Sequence, residues 1–367
     1  MPCAVPFVRL SHVRKSFDGG EPVVRDLNLD VGHGEFVTLL GPSGSGKTTT
    51  LMMLAGFERP DSGEILVDGR AISRTPPHRR DIGVVFQSFA LFPHMTVNEN
   101  VAFPLRVRGV GAAEQRGRVA RALDMVRLDG LGARMPAQLS GGQQQRVAVA
   151  RALVFGPRLV LMDEPLGALD RQLRERLQLE IRHLHQRLGV TMIYVTHDQS
   201  EALAMSDRTA VFAGGVVRLV GTPRTLYDEP CDAFVARFVG ESNRLTGTLE
   251  GIEGGVASML LDSGLRVSGV LAQAVSVGAA CVLCVRPERV VAEAGPAGPL
   301  SGALLEVVFQ GDHARLRFAL DSDAGAPEIV VKQPAGVGMG GLVPGQPAAL
   351  AWEPRHGRIF LPEPQAQ

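Results

Sequence analysis

Apolar and polar positions follow two different rhythms along this chain. Up to about residue 240, short apolar runs alternate with longer stretches of helical spacing. EFVTLL (35–40), EILVDGR (64–70), DIGVVFQ (81–87), RLVLM (158–162) and VTMIYVTH (190–197) read as strands. Continuous apolar runs of this length suit strands buried on both faces. Between them, TTTLMMLAGF reads as a helix stopped at Gly56, and 97–135 as a mostly helical stretch with Val119, Leu123 and Val126 at helical spacing. QQQRVAVARAL (143–153) and RQLRERLQLEIRHLHQRLG (171–189) read as two further helices. Strands alternating with helices predict an α/β domain with a largely parallel sheet.

Beyond 240 the rhythm shortens to alternating runs broken by Gly, Asp and Pro. EVVFQGDHARLRFAL (306–320) predicts two strands joined at a Gly-Asp turn. The expected organisation is therefore an α/β domain over 1–240, with a helical subdomain at about 88–156, and a small all-β domain over 241–367. A chain of 367 residues is in any case too long for one core.

Charge refines this division. The 38 basic and 38 acidic side chains balance, which argues against a nucleic-acid binder held by net charge. Residues 1–240 carry 29 basic and 25 acidic groups, and 241–367 carry 9 and 13. No run approaches the ~20 apolar residues of a membrane-spanning helix, and the first residues lack the order of a signal peptide. A cytoplasmic location is expected. The four cysteines suit a reducing compartment. Cys281 and Cys284 have C-x-x-C spacing, but they lie in an apolar strand-like run without a second pair, so a structural role is expected.

Candidate chemistry begins at 41–49, GPSGSGKTT. Gly41, Pro42, Ser43, Gly44, Ser45, Gly46, Lys47 and Thr48 match G-x-x-x-x-G-K-[ST]. Such a loop between strand and helix wraps phosphates with backbone N–H groups, with Lys47 on the β/γ-phosphates and Thr48 on Mg²⁺. Thr49, at the helix start, is a further candidate for nucleotide binding. Lysine occurs only at 15, 47 and 332, and a compact ammonium fits between phosphates where a guanidinium fork does not. The strand Leu159–Met162 runs into Asp163 and Glu164. Alternation along a strand is expected to separate them, Asp163 toward magnesium and Glu164 toward an attacking water. Gln87 and His197 each close an apolar strand at the expected phosphate edge; each alone also reads as a helix cap. Phe17 is a candidate aromatic platform for an adenine, or a core phenylalanine. LSGGQ (139–143) before a helix is a second anion cradle, built from Ser140, Gly141, Gly142 and Gln143.

Taken together and in order, these residues resemble the ATP-binding subunits of ABC transporters over about 1–240. The resemblance implies a P-loop NTPase fold with ATP and Mg²⁺. Phe17 is then the adenine platform, Gln87 the Q-loop residue near the metal, and Asp163 a metal ligand. Glu164 is the catalytic base, 166–170 the D-loop with Asp170, and His197 the switch histidine. It also explains the two cradles: two copies pair head to tail, and Ser140–Gln143 of one serve the nucleotide of the other. The D-loop reads Leu-Gly-Ala-Leu-Asp, with Gly167 where the commoner form has Ser. The segment 88–109 and the VRPERV of a C-terminal, OB-like TOBE domain resemble binding-protein-dependent importers. PLGALDRQLR (165–174) and FVGESN (238–243) resemble spermidine/putrescine importers, with sugar and iron(III) importers close behind. The implied partners are a second copy, two transmembrane permeases and, indirectly, an extracytoplasmic binding protein, with the chain on the cytoplasmic face of the inner membrane. A soluble ABC ATPase of DNA repair or translation would carry coiled-coil insertions or two fused cassettes, and neither occurs. The turn-rich segment 88–105, with Phe89 and Phe92 expected to be exposed, is the expected docking site for the permeases.

Overall fold

In the computed structural model the described residues are 5–167, 169–295, 300–321, 327–334 and 342–363. They form two compact units that divide between Pro223 and Arg224.

The first unit begins with strands β1 (Val8–Lys15) and β2 (Val24–Val31), then β3 (Phe36–Leu40) and helix α1 (Lys47–Ala55). Strands β4 (Ser62–Val67), β5 (Arg70–Ala71) and β6 (Gly83–Val85) follow. Helices α2 (Val97–Val107), α3 (Ala112–Met125) and α4 (Gly141–Leu153) come next. The unit continues with β7 (Leu159–Asp163), α5 (Arg171–Leu188), β8 (Thr191–Thr196), α6 (Gln199–Met205), β9 (Arg208–Ala213) and β10 (Val216–Gly221).

Its main sheet has the order β10-β9-β3-β8-β7-β6. All neighbours are parallel except β10, which pairs antiparallel with β9. The continuous apolar runs are accounted for by burial on both faces. Phe36, Val160, Met162, Met192 and Tyr194 pack into one core. Their strand neighbours Val37, Leu39, Leu159, Leu161, Ile193 and Val195 pack into another on the opposite face. A second sheet, β2-β1-β4-β5, is antiparallel. Because β3, β6, β7 and β8 run parallel, the segments that leave them emerge at one edge. Those segments hold the glycine loop, Gln87, Glu164 and His197.

Several details differ from the sequence reading: the run 64–70 is split between β4 and β5, and β8 ends at Thr196, one residue short of His197. Strand β6 stops at Val85, so Gln87 lies in a turn closed by the Phe89 N–H donating to Phe86 O at 2.9 Å. Phe89 is buried and Phe92 half-buried, so neither is the exposed aromatic expected. Phe92 packs against Phe103, the rings tilted by 51° with 4.7 Å between centroids.

The second unit opens with α7 (Pro223–Asp228) and α8 (Ala233–Phe238). Among the described residues ten strands follow: β11 (Asn243–Glu253), β12 (Val256–Leu261), β13 (Arg266–Leu271), β14 (Ala280–Val285) and β15 (Val291–Ala294), then β16 (Leu300–Phe309), β17 (His313–Leu320), β18 (Glu328–Pro334), β19 (Pro347–Ala351) and β20 (Gly357–Phe360). Strands β11-β12-β13-β20-β14 close a barrel, and β15-β19-β16-β17-β18 form a second sheet. The expected hairpin at 306–320 is β16–β17. The boundary sits earlier than 240 because α8 packs into this unit. Ala233 and Ala236 share a buried cluster with Val282, Cys284 and Phe360, and the Arg286 guanidinium donates to the carbonyls of Tyr227, Ala236 and Glu241. Cys281 and Cys284 lie on opposite faces of β14. Burial pushes the Cys284 thiol up to about 11 and the Cys281 thiol upward as well. Among the described residues no helix is long and apolar enough to cross a membrane.

Candidate functional site

The glycine loop sits between the end of β3 and the first turn of α1, and close backbone approach dictates Gly41 and Gly46. A Cβ at Gly41 would lie 2.4 Å from Phe212 O. Gly46 caps α1 at φ 99°, and a Cβ there would lie 2.7 Å from Val23 O. Pro42, Ser43, Gly44 and Thr48 are exposed along the loop and Thr49 is half-buried, while Ser45 is buried beneath. The Lys47 ammonium donates to Gly41 O at 2.8 Å and Pro42 O at 2.9 Å, curling back over the loop. Burial lowers its pKa, and the carboxylates of Glu164 and Asp163 oppose that shift.

Across the loop, the Thr48 hydroxyl donates to Asp163 Oδ1 at 3.1 Å. Asp163 ends β7 and is buried. Burial raises its pKa, the Thr48 hydrogen bond opposes the rise, and the Glu164 charge adds to it. Glu164 has left the strand. Its φ of 42° is left-handed, an uncommon state for a residue with a Cβ. That turn of the backbone, rather than simple strand alternation, separates the two carboxylates. Glu164 Oε2 accepts from Gln87 Nε2 at 3.3 Å, and Oε1 lies 3.1 Å from His197 Nδ1. The carboxylate is thus held between a neutral donor and an imidazole, with Asp163 as its chain neighbour.

His197 rests on a network that its own sequence context did not reveal. Glu201 is buried and accepts from Tyr194 Oη at 2.8 Å and Thr196 Oγ1 at 2.6 Å. Arg174 donates to Asp198 Oδ2 at 3.2 Å and to Leu169 O at 3.0 Å, tying the start of α5 to the turn that carries His197. The available signal was alternation: Tyr194 and Thr196 share a strand face, and Glu201 follows in the first turn of α6.

The second cradle stands apart. Ser140 caps α4: its Oγ accepts from Gln143 N at 3.4 Å, and Gln143 Oε1 accepts from Ser140 N at 3.0 Å. Gly142 lets α5 pack close, since a Cβ there would lie 3.1 Å from Leu173. Among the described residues no hydrogen bond or ion pair joins 140–143 to the glycine loop. Asp170 caps α5 by accepting from Leu173 N at 3.0 Å. Phe17 is 43% exposed, and the Lys15 ammonium lies 4.9 Å from its ring centroid. Gly167 donates its N–H to Glu164 O at 3.2 Å, and a Cβ there would lie 3.9 Å from Glu164 Oε2. Ala168 lies outside the described residues.

The ABC transporter family model matches residues 24–167, and the TOBE domain model matches residues 283–360. A spermidine/putrescine import ATP-binding protein of Rubrobacter xylanophilus is 48% identical over 356 residues, 96% of this chain and 93% of that protein. A protein of the same name from Methylococcus capsulatus is 47% identical over 351 residues, 95% and 90% of the two chains. Among solved structures, a dimeric ATP-binding cassette in a post-hydrolysis state, bound to ADP and Pi, is 36% identical with a TM-score of 0.54, covering 59% of this chain and 99% of that one. CbiO1 of Clostridium perfringens, part of an ABC transporter complex, is 29% identical with a TM-score of 0.57, covering 61% and 91%.

Proposed function

The chain belongs to the ABC transporter family, and from that premise we propose that it is the ATP-hydrolysing subunit of a binding-protein-dependent importer for polyamines such as spermidine and putrescine. The observation that carries the hydrolytic part is Glu164, held between Gln87 and His197 beside the Thr48–Asp163 pair. The observation that favours polyamines is the near full-length likeness to importers of that name.

The loop 41–48 wraps the phosphates of ATP, and the Lys47 ammonium exchanges its loop carbonyls for phosphate oxygens. Phe17 offers its exposed ring to the adenine. Glu164 orients a water toward the γ-phosphorus and accepts its proton as the new P–O bond forms and the bond to ADP breaks. His197 and Gln87 fix the direction of that carboxylate. Mg²⁺ fits the donors present. Thr48 and Asp163, with the amide oxygen of Gln87, would hold it through oxygen alone, and a hard cation that keeps waters and phosphate oxygens needs few protein ligands. When bound, the ion neutralises charge on the β- and γ-phosphates.

The exposed Ser140 and Gly141, remote from the chain's own glycine loop, suit the nucleotide of a second copy in a head-to-tail homodimer. Two transmembrane permeases, with an extracytoplasmic binding protein beyond them, complete the importer. The chain then works peripherally at the cytoplasmic face of the inner membrane.

The test is reconstitution with the permeases and binding protein in proteoliposomes, following labelled spermidine, a sugar and iron(III). Saturable spermidine uptake that is lost with Glu164→Gln supports the reading. Uptake of the sugar or of iron(III) instead overturns the polyamine assignment, and absence of ATP hydrolysis overturns the motor.

A further inference from the structure

The two residues that follow the Gln87 turn are in an unusual state. Phe89 has φ 60° and Ala90 φ 48°, consecutive left-handed conformations in residues that both carry a Cβ. Each costs free energy and persists only where its surroundings impose it. The Phe89 ring packs into the core, and the polar group that holds both carbonyls is Arg151. Its guanidinium donates from Nη2 to Phe89 O at 2.8 Å and from Nη1 to Ala90 O at 2.7 Å. Arg151 is only 9% exposed, and among the described residues no carboxylate pairs with it. A planar fork with two parallel N–H groups fits two successive carbonyls as a single ammonium cannot. The next grip on the segment starts further from Gln87. Asn100 of α2 accepts from Phe92 N and donates to the carbonyls of Phe92, Met95 and Thr96. Among the described residues, Arg151 is the side chain that hydrogen-bonds the carbonyls of 89 and 90, beside the core packing of the Phe89 ring.

The chain of contacts runs directly to the reacting centre. Phe89 N–H closes the turn on Phe86 O, Gln87 lies inside that turn, and Gln87 Nε2 reaches Glu164. Arg151 itself lies on α4, the helix that begins with the second cradle.

We propose that Arg151 is a positioning residue for hydrolysis: it imposes the left-handed Phe89–Ala90 backbone, keeps Gln87 against Glu164, and makes the Gln87 turn move together with the Ser140–Gln143 end of α4. This rests on the reading of Gln87 and Glu164 as parts of the hydrolytic site. A load that seats or unseats the second cradle then reaches Gln87 through this guanidinium as well as through the core packing of α4.

The experiment is steady-state ATPase kinetics on the full chain, with glycine at position 90 as the discriminating partner. Ala90 is exposed, so losing its methyl removes little packing, and glycine adopts the left-handed state without steric cost. Arg151→Gln is expected to lower kcat by ~10-fold or more with KM for ATP within ~2-fold of wild type. Ala90→Gly alone is expected to stay within ~2-fold. Added to Arg151→Gln, it is expected to restore most of the lost kcat, a non-additive coupling that a merely structural arginine would not show. Arg151→Lys, which can serve one carbonyl at a time, is expected to fall between and to be rescued in the same way. It decides the matter if Arg151→Gln does not fold. Wild-type kcat in the Arg151 variants, or no rescue by Ala90→Gly, overturns the proposal. A Glu164→Gln control that hydrolyses ATP at the wild-type rate would instead overturn the site on which it rests.

Discussion

His197 Nδ1 lies 3.1 Å from Glu164 Oε1 while Gln87 holds the other oxygen of the same carboxylate at 3.3 Å. A carboxylate gripped at both oxygens has its direction fixed before any nucleotide arrives, which is what a proton acceptor for a bound water requires. Glu164→Gln keeps the shape and the contact to His197 but cannot accept the proton. The expected loss in kcat is ~10²–10⁴, or about 3–5 kcal/mol of barrier. Nucleotide binding is expected to persist, since Lys47, Thr48 and Asp163 are untouched. Single-turnover phosphate release and fluorescent-nucleotide titration measure the two separately, and a wild-type rate would remove Glu164 from the base role.

With hydrolysis blocked, Glu164→Gln is expected to accumulate as an ATP-bound dimer on size-exclusion chromatography. Ser140→Arg in that background is expected to abolish the dimer. It puts bulk and charge at the exposed cap of α4 and leaves the chain's own glycine loop alone. ATP binding by the monomer should change by less than ~3-fold, the scale of a distant and independent site. A double variant that still dimerises with ATP would show that the second cradle does not serve a neighbour.

Asp163 carries a cost in the nucleotide-free protein. Burial raises its pKa above the ordinary 3.8, so the folded state holds its proton more tightly than the unfolded chain. Stability attributable to this group therefore falls as pH rises from 3.8 through the raised value. Asp163→Asn removes the buried charge and can still accept from Thr48. Its Tm at pH 7.5 is expected to exceed that of wild type, with the gap closing as pH falls toward 4. Its Mg²⁺-dependent hydrolysis is expected to fall on the order of 10²-fold or more. Thermal melts across pH, without nucleotide, check the sign; a lower Tm at pH 7.5 would contradict it.

What was legible in the chain was what local chemistry dictates. The glycine loop, the α4 cap and the β7 strand each declare themselves over a few residues. Their shared edge follows from parallel strands that must all end on the same side. What stayed hidden depends on distant partners. Phe89 looked exposed because it lies in a turn-rich run, yet its ring packs into the core and Arg151, some sixty positions on, holds its carbonyl. Asp163 and Glu164 were expected to diverge by strand alternation, and they diverge through a left-handed residue that no periodicity encodes. Nothing in the helical run 171–189 singles out Arg174, yet it ties that helix to the turn of His197.

The boundary at 223/224 yields the last prediction. The change of composition lies near 240, and a truncation placed there would retain α7 and α8 without the strands they pack on. Ala233 and Ala236 would lose Val282, Cys284 and Phe360, and the Tyr227 and Ala236 carbonyls would lose Arg286. Helices as short as Pro223–Asp228 and Ala233–Phe238 do not persist in water without such packing. A chain ending at 223 keeps the main sheet and every residue of the glycine loop, Gln87, Glu164 and His197 intact. It is expected to be monodisperse and to bind ATP within ~3-fold of the full chain. A chain ending at 240 is expected to bind ATP as well, but to aggregate more readily and to be trimmed back toward 223 by limited proteolysis. Mass spectrometry of the trimmed product decides between the two boundaries. A protease-resistant 1–240 product beside a 1–223 chain that cannot bind ATP would place α7 and α8 with the first unit instead.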